Sequence, residues 1–204
     1  MFYGDRKDIG LWQATRRKFL KIVALTGAAS ATGILNPLEE TAIGKEGGMS
    51  PEEMRIRAMQ LFKKPKLFQC AQATLAVGQE KLGKRDWEVV RAMGAFAGGL
   101  GANGDACGAL CGGLAAIGLR FGRGGEDEKE DRKMWGCCLE LMKRFREEVV
   151  QRYGSIRCRE ITGIDWMNRK QVTSFYIPDE IFLECTRIVG DTARLVGEIL
   201  ERQA

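Results

Sequence analysis

Residues 181–200, IFLECTRIVGDTARLVGEIL, decide the fold class. Ile181, Cys185, Ile188, Thr192, Leu195 and Ile199 recur at alternating intervals of four and three, with Phe182, Val189, Val196 and Leu200 beside them. Such spacing returns to one side of a helix at every turn and marks a stripe buried against other helices. Pro178 and Asp179 supply its start, because proline suits the first helical position and aspartate accepts from the free N–H groups there.

Working back along the chain, the same signals repeat. Ser50-Pro51-Glu52-Glu53 reads as a capping box that opens a helix running to about Lys64, before Pro65. A second helix is expected from Gln69–Cys70 to Gly83, and a third, capped by Asp86, from Trp87 to about Ala97. The segment Gly94–Gly125 holds 12 of the 26 glycines; within it Asp105 would cap a fourth helix through Leu119, with small residues that let neighbours approach closely. Glu126–Lys133 would open a long helix reaching about Tyr153, with Trp135, Cys138, Leu141, Met142, Phe145 and Val149 as core contacts. A short helical piece is expected around Ile156–Ile161, and Gly163–Ile177 as an irregular surface segment. No run alternates as a strand would. The expectation is an all-α fold: a single compact bundle of five to seven helices.

The N-terminus reads differently. Thr15-Arg16-Arg17-Lys18-Phe19-Leu20-Lys21 has the order of a twin-arginine export signal, and Ala29-Ser30-Ala31 offers small residues for cleavage. The apolar stretch between, Ile22 to Leu35, is interrupted by Gly27, Ser30 and Gly33 and falls short of the roughly 20 apolar residues of a membrane-spanning helix. Ala106–Leu119 is uncharged but likewise short, and reads as a buried helix. The expected organisation is an export segment over 1–31, a linker over 32–49 and a helical domain over 50–204, giving a periplasmic or otherwise extracytoplasmic protein with no membrane span in its mature form.

Charge and composition narrow the function. Six of the 32 basic residues and two of the 27 acidic ones lie in residues 1–31, so the remainder carries 26 against 25. A near-neutral domain gives no nucleic-acid footprint. Histidine is absent from the chain, which removes the Ser-His-Asp and Cys-His catalytic arrangements and the usual zinc and haem ligand. Cys-x-x-Cys-His is absent too, which excludes covalent c-type haem. Gly99-Leu100-Gly101-Ala102-Asn103-Gly104 spells G-x-G-x-x-G, but helix, not strand, is expected before it, so it reads as a turn rather than a dinucleotide site.

Seven cysteines remain as the carriers of chemistry: Cys70, Cys107, Cys111, Cys137, Cys138, Cys158 and Cys185. Seven cannot all pair within one chain. Cys107 falls at the start of the fourth helix, where the helix dipole and free N–H groups favour thiolate. Gly108 and Gly112 leave room for a bulky neighbour, and Cys111 follows one turn later. Cys137 and Cys138, adjacent on a helix, point about 100° apart and cannot easily share a site. Set against this, a free cysteine often packs as a small hydrophobe, which suits Cys185 on its apolar stripe.

Phe68-Gln69-Cys70-Ala71-Gln72-Ala73, the glycine-rich 98–101 followed by Cys107-Gly108-Ala109-Leu110-Cys111-Gly112, then Cys158-Arg159-Glu160-Ile161-Thr162-Gly163-Ile164-Asp165, and Cys185 on the closing helix occur in one order. That order resembles the C-GCAxxG-C-C family of redox-active proteins, related to the non-haem part of split-Soret cytochromes, over about residues 70–200. The resemblance implies that Cys70, Cys107, Cys158 and Cys185 act together; Cys111, Cys137 and Cys138 are additional, with Cys111 a possible further ligand.

Three chemistries suit four such thiols. An iron–sulfur cluster for electron transfer takes Cys₄ ligation, here without the tight spacing of ferredoxins. A metal-free thiol/disulfide couple would operate in an oxidising compartment. A structural Cys₄ zinc module usually contains a closely spaced pair, which this set lacks. Electron transfer to a redox partner protein is expected over turnover of a substrate, and a glycine-rich apolar face could serve a homodimer.

Overall fold

The computed structural model describes residues 48–63, 68–175 and 180–203, all within one compact unit spanning 42–204. The export segment, its cleavage site, nearly all of the linker and the expected helix start at Pro178-Asp179 lie outside the described residues. Eight α-helices are present among them: α1 (Pro51–Lys63), α2 (Cys70–Lys81), α3 (Trp87–Ala92), α4 (Gly108–Phe121), α5 (Lys133–Arg144), α6 (Cys158–Thr162), α7 (Arg169–Phe175) and α8 (Glu180–Arg202). No strand forms among the described residues; one isolated bridge pairs Ala106 with Arg157. The chain is all-α, with one helix more than the upper expectation. The addition is α7, inside the segment expected to be irregular, which Asn168 starts by accepting from the Lys170 and Gln171 amides.

Two starts follow the sequence closely. The Ser50 hydroxyl accepts from the Glu53 amide at 3.3 Å while Glu53 accepts from the Ser50 amide at 2.6 Å. Asp86 accepts from the Glu88 and Val89 amides at 2.9 and 3.2 Å. Helix α3 ends at Ala92 and tightens into a 3₁₀ turn over Met93–Phe96.

Three expectations are corrected. Asp105 does not cap α4; Cys107 occupies that position, and the Asp105 carboxylate instead accepts from the Asn103 side-chain amide at 3.1 Å and pairs with Arg157 at 3.5 Å. The mixed-charge run does not open α5, which starts only at Lys133 and passes through a π-helical turn, Phe145–Val149, into a 3₁₀ turn, Gln151–Tyr153. Within it, Cys137, Leu141, Phe145 and Val149 face the core, Cys138 and Met142 are half-buried, and Trp135 is 60% exposed. The indole of Trp135 instead donates to Glu130 at 2.7 Å. The periodicity was shared by two faces, and the larger aromatic side chain did not take the inner one.

Small residues set how the long helices pack. Gly190 of α8 lies against Met59 and Arg55 of α1, and Gly197 against Met54 and Pro51, so the two helices run antiparallel. In α2 and α4 the contacts rise together: Cys70 meets Gly108, Ala71 meets Gly112, and Gly78 meets Ala116. These helices therefore run parallel, with their N-termini at one end of the bundle. Gly113 of α4 packs among Leu141, Thr192 and Val196, where α4, α5 and α8 meet. No helix among the described residues is long and apolar enough to cross a membrane.

Candidate functional site: a four-cysteine cavity

The parallel run of α2 and α4 brings Cys70, the first residue of α2, beside Cys107, the N-cap of α4. A β-carbon built on Gly108 would stand 2.5 Å from the Cys70 sulfur and 3.0 Å from the Phe96 carbonyl oxygen. Only glycine leaves room for that sulfur. Cys158 arrives as the first residue of α6, and Cys185 from the second turn of α8.

What carries Cys158 to the others is a loop of unusual hand. Gly98, Gly99, Leu100, Gly101 and Ala102 all have positive φ, between 55° and 67°, a short left-handed turn. L-residues resist this conformation by about 1–2 kcal/mol each, so Leu100 and Ala102 sit there under strain. The turn is held by its own bonds, from the Leu100 amide to the Phe96 carbonyl and from the Ala102 amide to Ala97. Its exit strip then zips onto residues 156–159: the Cys107 amide donates to Ile156, and the Cys158 and Arg159 amides donate to Asp105 and Gly104. A β-carbon on Gly99 would lie 2.7 Å from that of Cys158. The run that spells G-x-G-x-x-G is thus a clamp for a cysteine, and a helical segment rather than a strand precedes it.

All four cysteines line one cavity of about 60 Å³. Apart from Gln69 and Thr162, its remaining wall is mainly apolar. Trp166, Phe175, Phe182 and Phe62 form a chain of ring contacts, with centroids 5.0, 5.6 and 5.3 Å apart in that order. Cys111 does not line the cavity, though it lies near enough to feel Cys70. Cys137 and Cys138 lie elsewhere, on α5.

Electrostatics at the site correct one expectation. Burial pushes the Cys107 thiol well above its ordinary range, and the neighbouring Cys70, Cys158 and Cys185 push it further. The Ala109 amide pulls the other way without prevailing. Desolvation of a charged sulfur outweighs the helix terminus here. Cys158 is pushed up to about 12, first by burial and then by Cys70, with the Trp166 indole opposing. Burial also raises Cys70, against the amides of Gly98, Ala71 and Gly108, and raises Cys111 to about 11. Burial thus holds each of these groups toward the neutral thiol, and Cys70, Cys107, Cys111 and Cys158 are free of disulfide. Among the described residues no group of three or more cysteine, aspartate or glutamate side chains is arranged to hold a metal ion.

Sequence reasoning missed Trp166 and the aromatic wall. Trp166 directly follows Asp165, the last residue of the cysteine segment quoted above, and that adjacency was the available signal.

The family described as "Putative redox-active protein (C_GCAxxG_C_C)" matches residues 68–199, from the segment just before Cys70 to the last turns of α8. No curated protein and no solved structure gives a significant match to the chain.

Proposed function

Because the chain belongs to the C-GCAxxG-C-C family of redox-active proteins, we propose that it is an exported electron-transfer protein in which Cys70, Cys107, Cys158 and Cys185 hold an iron–sulfur centre. One observation carries this reading: four thiols from four different helices line the same small, apolar cavity. A pair would suffice for a disulfide; four is the number that ligates a two- or four-iron cluster.

The residues fit such a group in chemistry as well as number. The amides of Gly98, Ala71 and Gly108 act on the Cys70 sulfur, and that of Ala109 on Cys107. Hydrogen bonds of this kind stabilise charge on ligating sulfurs and tune a cluster's potential. A cluster bound there would take up and release single electrons. The chain's own part is to supply thiolates, exclude water with the aromatic wall, and surrender the thiol protons as the group enters. Export of a folded protein by the twin-arginine route agrees with a centre inserted beforehand, and Arg16-Arg17 supports that location.

The absence of a ready single-ion arrangement counts against a zinc module, whose four sulfurs must close on one atom at about 2.3 Å. It also keeps a second reading in play. Two of the cavity thiols, oxidised to a disulfide, would release two protons and two electrons to a partner.

Anaerobic purification followed by visible spectroscopy and assays of iron and acid-labile sulfide tests the proposal. Visible absorption with iron and sulfide in comparable amounts is the expected result. Colourless protein with neither element, losing two titratable thiols on mild oxidation, overturns it in favour of the dithiol.

A further inference from the structure

Among the described residues, Trp166 brings to the cavity wall a buried polar group whose hydrogen bond is unaccounted for. Its Nε1 is fully buried and finds no partner at ordinary geometry. Leaving a buried N–H unmade costs about 1–3 kcal/mol, so its placement calls for a reason. Packing alone does not give one, because the ring is fixed from two sides by groups indifferent to the nitrogen. Phe175 meets it edge-on at 5.0 Å, and a β-carbon on Gly98 would lie 3.2 Å from its Cδ2. Gly98, at φ 59°, is the first residue of the left-handed turn.

Trp166 and Cys158 line the same cavity and are held side by side by consecutive glycines. A β-carbon on Gly98 would meet the Trp166 ring, and one on Gly99 the Cys158 β-carbon, which makes the Cys158 sulfur the acceptor this N–H can reach. A protonated thiol is a weak acceptor. The same sulfur as a thiolate, or as a ligand, carries negative charge and accepts strongly. The donor is therefore unsatisfied in the resting thiol and satisfied when the sulfur becomes electron-rich.

We propose that Trp166 is a positioning residue that donates its indole N–H to the Cys158 sulfur and thereby sets the potential of the four-cysteine centre. The inference deepens the redox reading above and rests on the cluster, whose reduced state places more charge on its sulfur ligands. Loss of the donor makes that state harder to reach, so the midpoint potential falls.

The test compares Trp166→Phe, which deletes the N–H, with Phe145→Leu, which loosens buried packing at a residue that does not line the cavity. Redox titration of the centre as isolated should give a lower midpoint for W166F and an unchanged one for F145L, with both variants less stable to heat. Equal shifts in the two variants, or none in W166F, would reduce Trp166 to a packing residue and overturn the proposal. In metal-free protein with ¹⁵N-labelled tryptophan, the indole resonance lost in W166F should move when mercuric ion, a thiol-seeking probe, is added to the wild type. It should stay in place when the probe is added to Cys158→Ala. A resonance that moves equally in both sinks the contact itself, whatever the nature of the centre.

Discussion

Cys137 and Cys138 sit mid-helix on α5, whereas Cys70, Cys107 and Cys158 stand at helix starts and meet Cys185 across a cavity. Burial does not separate the two sets, because Cys137 is 2% exposed and Cys107 8%. Nor does the direction of the pKa shift, since burial raises both. What differs is the backbone around them. A cysteine in mid-helix has neighbours whose N–H groups are already bonded within the helix. One at a helix start lies beside N–H groups with no partner of their own, and here Gly108 leaves the Cys70 sulfur its space while Gly99 leaves room for the Cys158 β-carbon. Cys137 and Cys138 feel mainly desolvation, followed for Cys137 by Glu140 and Asp131 and for Cys138 by Cys137. The lesson is that chemistry follows converging helix ends, not cysteine content or depth.

That contrast can be broken most decisively by exchanging one sulfur at each place. Cys107→Ser should abolish the visible absorption of anaerobically isolated protein, and Cys137→Ser should leave it intact. Equal loss in both, read by absorbance per mole of folded protein, would erase the distinction.

Glycines on the two helices sharpen it next. Gly108→Ala forces a methyl onto the Cys70 sulfur and the Phe96 carbonyl, and should cost about 1–3 kcal/mol in urea unfolding. A third measurement uses pH. The Cys158 thiol is held near 12 when folded against an ordinary 9.0, so the unfolded chain releases that proton first. Stability from this group is fully present below pH 9 and is lost as pH rises toward 12. The loss is about 1.4 kcal/mol per pH unit across that window. Urea midpoints from pH 8 to 10.5 should slope downward, and Cys158→Ala should flatten the slope more than Cys137→Ala does. Smallest is Gly136→Ala on α5, where nothing lies within 4 Å of the new methyl. It should stabilise the protein by at most about 1 kcal/mol, since alanine is the better helix former.

How much of this was legible depends on the range of the physics. The cap at Asp86, the box at Ser50 and Glu53, and the stripe on α8 are local, and each appears as its residues announce it. The four cysteines were grouped by resemblance; no spacing rule joins residues 37, 51 and 27 positions apart. The left-handed turn was hidden because Leu100 and Ala102 occupy φ values their side chains disfavour. Only the surrounding zip onto residues 156–159 compels them. Asp105 looked like a cap because a short acidic residue stands beside a helix start, but its carboxylate is taken up by the side chains of Asn103 and Arg157, the second of which only tertiary structure brings to it. Thiolate at Cys107 was expected from the helix end alone, and the desolvation that reverses it belongs to tertiary structure.

The fourth wall of the cavity comes from α8, the last helix in the chain. A polypeptide that has emerged only as far as residue 179 carries three of the four thiols and lacks Phe182, Cys185, Ile188 and Val189, which close the space around them. Order of synthesis therefore delays the fourth thiol's meeting with the other three until α8 has emerged, and a ribosome stalled before α8 would present those three sulfurs with one side of their chamber missing.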